Sequence, residues 1–387
     1  MDQNKIKILH VATTILRFWG VLPKNGVKLS LIEKITSIYL IINCSILTVI
    51  CCIHITYNMG NNSISLEEAI EDVAVILSTI GTNILIAYIS LNVKKIIAFV
   101  NELSNFSNFS LPPTAVETNR KVNILTATWT TSGMTGTIIY FIYKTVFDTT
   151  CSNNNVKYQR SDICGTLVPT YLPFSLDPKH YWILRLIEIN AYLPAICAAC
   201  TIVIFLIGCS EMIVVRIKHL NELIIHAVNE GEGSEDTERK LKICVRYHIH
   251  IIKLLDEFND CYYWYQFVYF LQNSPLISMN GFNFILSTKI STGINFMGWF
   301  IALWLSCIAG QRLSDESLSI NTTIYATNWY ELDISLQKTL LLMMLRSQRA
   351  LTVKAWLLGD SSLETLKVIL KTSYSIITLL NTVMYDK

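Results

Sequence analysis

The most reactive side chains of this sequence are spaced in ways that do not suit catalysis. His248 and His250 lie two apart, so on a helix they point to different faces and make a poor metal pair. Cys197 and Cys200 spell C-x-x-C, but they stand in the middle of an apolar helical run, where a redox or metal role has little support. "LLGDS" around Asp360 is a turn and helix start, with Asp360 or Ser361 as the cap. No G-x-S-x-G, H-E-x-x-H or P-loop occurs. The reading is of a protein that is not an enzyme, with no catalytic residue, metal-ligand set or cofactor.

What the spacing does support is hydrogen bonding along helix faces. Near the end of the chain, Lys371, Ser375, Thr378 and Thr382 follow at intervals of four, three and four, the spacing of one helical face. Thr126, Thr130, Gly133, Thr137, Tyr140 and Lys144 repeat the pattern. Asp72, Thr79, Asn83 and Ser90 share one side of another run. Two further runs carry Gln272, Asn280 and Asn283, and Asn295, Trp299, Ala302 and Ser306. Inside a bilayer, polar groups turn away from lipid. Each stripe is therefore open to two readings: contact between helices, or the lining of a space that holds a small, mostly apolar guest with one or two hydrogen-bonding groups.

The elements that carry these stripes are membrane helices. With 387 residues, 52% of them hydrophobic and 16% charged, the chain is too poor in charge to cover soluble surfaces. A net charge of +2 without a basic run gives no footprint for nucleic acid. Seven stretches suit a crossing of about 20 residues: 35–57, 69–91, 122–147, 183–208, 265–288, 293–310 and 362–385. Twenty-two of the 31 Lys and Arg residues fall on one side and five on the other, which places the N-terminus in the cytosol and the C-terminus outside. The first residues do not form a cleavable signal peptide, so the first crossing would act as the signal.

Charge divides the chain into a cytosolic segment 1–34, crossings one to four with outer loops at 35–208, cytosolic helical extensions at 209–264, crossings five and six at 265–310, a cytosolic anchor region at 311–361 and a last crossing at 362–387. In the extensions, Leu241, Val245, His248, Ile252, Leu255 and Phe258 form one apolar face. Ile213, Ile217, Leu220, Ile224 and Val228 form another, and "GEGSEDTE" joins the two. These helices, with 332–350, either lie on the membrane surface or bundle into a cytosolic hub. Cys151 and Cys164 share an outer loop, where they form either a disulfide or two free thiols. Asn61 opens an outer-loop glycosylation sequon.

The stretch "GQRLSDESLSINTTIYATNWYELDISLQKTLLLMMLRSQRALTVKAW" contains Glu316, Ser317, Tyr325, Trp329, Tyr330, Arg346, Ser347 and Gln348. With the closing Ser373, Tyr374 and Ser375, with Gly20 and Pro23 in "LRFWGVLP", and with "YLPFSLDP", it resembles the insect odorant receptor family, and a ligand-tuning subunit rather than the shared co-receptor. The chain departs from the closing motif where Ile376 or Ile377 stands in place of an aromatic. The resemblance implies an all-α membrane protein of seven transmembrane helices with a cytosolic anchor, in the plasma membrane of a sensory dendrite. It also implies a ligand-gated, nonselective cation channel that passes monovalent and divalent ions, assembled as a heterotetramer with the co-receptor and embedded in lipid.

On that resemblance, the outer halves of crossings two to six hold a small volatile odorant, and facing and depth select Thr79, Asn83, Thr137, Tyr140, Tyr192, Asn280, Asn283 and Trp299. The last helix lines the pore with Ser375, Ile377, Thr378, Leu380, Asn381 and Thr382, its constriction at Ile377, Leu380 and Asn381. Hydroxyls and an amide there can replace part of an ion's hydration, and an apolar ring can close the path by dewetting. The alternatives are a gustatory receptor of the same superfamily and a G-protein-coupled receptor. The second is opposed by the charge bias and by the absence of D-R-Y-like and N-P-x-x-Y motifs.

Overall fold

The computed structural model describes residues 7–24, 28–61, 63–167, 170–171, 177–230, 233–287 and 289–385. Residues 172–176 of the "YLPFSLDP" loop, Gly231 and Glu232 of the joint, and Lys5 and Lys387 of the charge count lie outside them.

The described residues form eleven α-helices and no strand: α1 His10–Phe18, α2 Leu31–Gly60, α3 Leu66–Leu91, α4 Val93–Leu103, α5 Ala115–Val146, α6 Thr150–Tyr158, α7 Tyr181–Asn229, α8 Ser234–Ser287, α9 Ile290–Tyr325, α10 Ile334–Ser347 and α11 Leu363–Tyr385. Local chemistry starts the first two long ones. Ser30 and Ser65 side chains each accept a hydrogen bond from the backbone N–H three residues on, and the Glu33 and Glu68 carboxylates accept one from the Ser30 and Ser65 backbone N–H. These capping boxes satisfy two end donors at once.

Length explains the architecture. At 1.5 Å per residue, α7 with 49 residues, α8 with 54 and α9 with 36 run to about 74, 81 and 54 Å, well beyond a hydrocarbon core of about 30 Å. The stretches at 209–229, 236–262 and 311–325 are thus continuations of long helices. Their apolar faces pack together: Ile213, Ile217, Leu220 and Ile224 of α7, Leu241, Leu255 and Phe258 of α8 and Leu313, Ile320 and Ile324 of α9 are buried in one core. α10 joins it through Leu336, Leu340 and Met343. Polar groups lock the same region. Asn221 donates to Ser319 Oγ at 2.7 Å, and Asn259 bridges the Thr352 carbonyl at 3.0 Å and the Lys354 N–H at 2.9 Å. Within this chain these helices bundle rather than lie apart.

By length and composition, α2, α3, Pro178–Asn229 and α9 are able to cross a membrane. α5, α8 and α11 are not in that group, and each carries a polar stripe. The most apolar part of α7 is 83% buried, against 28% for α2 and α9. A helix that is hydrophobic all round and buried is the axis of its bundle. α2 instead turns Ile35, Ile38, Ile42 and Val49 outward, as a lipid-facing helix does.

Candidate functional site: a cavity and an open helix face

Each residue of the polar stripe of α3 has a partner on α2. Asp72 accepts from His54 Nδ1 at 2.6 Å, Thr79 and Thr48 hydroxyls meet at 2.7 Å, Asn83 donates to Ser45 Oγ at 3.1 Å, and the Ser90 and Ser37 hydroxyls meet at 3.1 Å. This is a four-rung ladder between two helices, the contact reading of the stripe. Thr79 and Asn83 accordingly face α2. The hollow interior sees their neighbours Ser78 and Thr82, one residue and about 100° away on a helix of 3.6 residues per turn.

That hollow is a cavity of about 300 Å³ walled by α3, α5, α7, α8 and α9, at the small end of the roughly 300–1,000 Å³ usual for ligand pockets. Thr137, Tyr192 and Trp299 line it. A smaller hollow of about 40 Å³ adjoins it and is lined by Tyr140, Asn280 and Asn283. Tyr192, Asn295 and Trp299 wall both. The larger cavity lies deeper than the outer ends, between Trp129 and Thr137 of α5 and between Tyr265 and Gln272 of α8. Its walls also contain Trp129, Tyr265, Tyr269 and Gln272. Among these only Gln272 stands in a polar stripe, because buried aromatics look like core in a sequence. The space itself comes from missing side chains. At Gly298 a Cβ would meet nothing within 4 Å, and at Gly136 the nearest atom would be 3.5 Å away.

The C-x-x-C pair is split between two tasks of packing. Cys197 Sγ accepts from Trp19 Nε1 at 3.3 Å, and Cys200 lines the cavity beside Gly133.

Above the cavity the charges are paired. Lys144 reaches Glu71 at 2.7 Å and Asp148 at 3.0 Å, and Lys289 reaches Glu67 at 2.7 Å. Burial would raise the Asp148 carboxyl, and the Lys144 ammonium more than reverses this, holding it below the usual carboxylate range. Arg160 binds Glu68 and Asp162, and Asp162 also accepts from His54 Nε2 at 3.3 Å and Asn58 at 3.3 Å. Cys151 and Cys164 are bonded, with Cα atoms 5.6 Å apart, in the loop that carries Arg160 and Asp162. Asn61, the sequon residue, is exposed at the end of α2.

α11 presents the contrasting face. It packs on α8 and α9 through Leu366, Ile369 and Ser373, the last donating to the Ser274 carbonyl at 3.0 Å. Ser375, Thr378, Asn381 and Thr382 are exposed. The three hydroxyls bond back to their own helix, to the carbonyls of Lys371, Ser375 and Thr378. Ile377 and Leu380 do not share this face. Both are half-buried, and Ile377 Cδ1 lies beside Gly281 of α8.

The family profile described as 7tm Odorant receptor matches residues 65–374. The chain belongs to that family. Odorant receptor 85c of Drosophila melanogaster is 28% identical over 188 residues, 48% of each chain. Odorant receptor 10 of Aedes albopictus is 27% identical over 242 residues, 57% of this chain and 64% of that one. This odorant receptor chain thus spans about half the length of the relatives it matches. The fold is that of the insect olfactory receptor OR5 from Machilis hrabei in complex with eugenol, with a TM-score of 0.76, 16% identity and 97% of both chains covered. The receptor is an all-α membrane protein.

Proposed function

We propose that this odorant receptor is the ligand-tuning subunit of a cation channel, opened when a small volatile molecule enters the 300 Å³ cavity. The observation that carries the reading is the pairing of a mostly apolar cavity between helices with a last helix whose hydroxyl face is exposed among the described residues. The first suits an apolar guest, and the second suits an ion path closed by copies of the same helix. α8 connects them, since it walls the cavity with Tyr269 and Gln272 and bears α11 through Ser274 and Gly281. A guest that fits better when α8 has shifted would favour the arrangement in which α11 opens.

In this reading the chain has its N-terminus inside the cell and seven crossings in the plasma membrane. The inner continuations of α7 to α9, with α10, anchor it to a shared co-receptor, and α11 conducts monovalent and divalent cations. Thr137, Tyr192 and Trp299 contact the odorant. Tyr140, Asn280 and Asn283 flank its outer approach. Ser375, Thr378, Asn381 and Thr382 line the path.

The test is current recorded from cells that express the chain with and without an insect odorant co-receptor, across a broad odorant panel. Gly298→Leu, which puts a side chain into open space, is expected to abolish the response while leaving surface delivery intact. An unchanged response would remove the cavity from the mechanism.

A further inference from the structure

Two side chains on the cavity wall are chemically unfinished: the Tyr269 hydroxyl and the Gln272 carboxamide each hold a buried oxygen without a hydrogen-bond partner. Gln272 of α8 is only 9% exposed and lines the cavity, yet its Oε1 is buried without a hydrogen-bond partner. Its neighbour Asn273 donates to the Tyr269 carbonyl at 2.6 Å, with its own Oδ1 left unpartnered, but it does not line the cavity. Thr137 on the facing wall likewise donates to the Gly133 carbonyl at 2.9 Å. Gln272 is held differently, by a notch in α3. A Cβ at Gly81 would fall 1.4 Å from Gln272 Oε1 and 2.6 Å from Cδ, but 3.4 Å from Nε2. The absent side chain at Gly81 lets the carboxamide carbonyl lie against the α3 backbone, which leaves the amide nitrogen as its outer edge. Oε1, held against Gly81, is out of a guest's reach, so the amide N–H edge is the hydrogen-bonding capacity a guest can use.

We propose that Gln272 is the hydrogen-bonding anchor of the cavity, and that the guests it selects carry one acceptor oxygen on an apolar body. That oxygen, whether of a carbonyl, an alcohol or a phenol, accepts from the Gln272 amide, and the hydrocarbon remainder lies among Trp129, Tyr265 and Trp299. The proposal rests on the cavity being the ligand site. A site built to hydrogen-bond a guest rejects the analogue that lacks the group far more strongly than a methylene difference would allow. Polar recognition and apolar fit are thereby assigned to different residues of the same wall.

The experiment compares matched pairs, a hydrocarbon and its ketone or alcohol of the same skeleton, on the full chain with co-receptor. The wild type is expected to favour the oxygenated member by about tenfold or more in EC50. Gln272→Met, which keeps the length and removes the amide, is expected to bring the ratio near one by weakening the oxygenated member alone. Gly81→Ala, which evicts the carboxamide from its notch, is expected to narrow the ratio as well. EC50 ratios within one variant do not depend on how much receptor reaches the surface. Equal potency of the two members in the wild type, or a Gln272→Met shift that is absent or the same for both, overturns the anchor. If no pair evokes current, thermal stabilisation of the purified chain by the same compounds is measured, and stabilisation by none or equally by both overturns it too. Gly298→Leu separates the two ideas. If it blocks both members while Gln272→Met changes no ratio, the anchor fails and the cavity stands; if it blocks neither, the cavity itself fails.

Discussion

The polar faces of α3 and α11 both carry hydroxyls and an amide at helical spacing, α3 with the carboxylate of Asp72 besides, but among the described residues only the first is met by a neighbour. On α3 every rung has a partner from α2, from His54 and Asp72 at one end to Ser37 and Ser90 at the other. On α11 the hydroxyls return to their own backbone and the side chains stand exposed. A helix stripe states that water or a polar partner is required, and the partner decides whether the stripe is structural. Substitutions on α3 should therefore act on folding, and substitutions on α11 on conduction.

The largest effect is expected at the outer end of the α3 ladder. Asp72 and Asp162 flank His54 with no exposure on any of the three side chains. Removing one partner leaves buried charge uncompensated, at a cost of about 3–5 kcal/mol. Asp72→Ala should leave little receptor at the cell surface, measured by an extracellular tag, and normal delivery would mean that the ladder is not structural. The reverse outcome is expected on α11. Thr378→Arg or Asn381→Trp should reach the surface normally and change single-channel conductance or blocker sensitivity severalfold. Loss of delivery with unchanged conductance would show that the face of α11 is packing as well.

How much of this was legible in the sequence follows from the same contrast. Apolar periodicity located every long helix, because burying one face is a local requirement. The cuts at 208, 264 and 310 followed charge, whereas the backbone runs straight through, since nothing at 209–229 or 311–325 breaks a helix. Facing was the weaker inference. Thr79 and Asn83 are polar and at depth, as a ligand site requires, yet polarity is also what a partner helix requires. The cavity is seen by Ser78, Thr82, Leu85 and Ile86 instead. The same holds for Ile377 and Leu380, which are half-buried while Ser375, Thr378, Asn381 and Thr382 are exposed, with Ile377 lying beside Gly281 of α8. Aromatic walls such as Trp129 and Tyr265 leave no mark in a sequence that separates them from core.

A milder test sharpens the distinction between ladder and cavity. Thr79→Val and Asn83→Leu each remove one hydrogen bond between helices, worth about 0.6 kcal/mol in membrane bundles. Delivery or thermal stability should fall slightly, and odorant EC50 should not move. Trp299→Ala, on the wall of both hollows, should do the opposite and shift EC50 clearly. A potency change at Thr79 equal to that at Trp299 would return α3's polar face to the binding site.

An effect of similarly modest size is expected where the continuations of α7 and α8 keep imidazoles neutral. His248 is 5% exposed, and burial, helped by the nearby Arg346 guanidinium, pushes it down to about 4. His219 and His250 are pushed down by burial as well. An unfolded histidine takes up its proton near pH 6.5, so between that value and about 4 the unfolded chain binds the proton and the folded chain does not. Stability contributed by the neutral ring is complete above pH 7 and is lost as pH falls through this window. For His248 alone the loss is about 1 kcal/mol at pH 5.5. Thermal stability of the purified receptor should therefore drop between pH 7 and pH 5.5, and His248→Leu should flatten that slope while leaving the conductance of α11 unchanged. A slope that His248→Leu does not alter would place the sensitive protons elsewhere, with His219 and His250, which burial also pushes down, the next residues to replace.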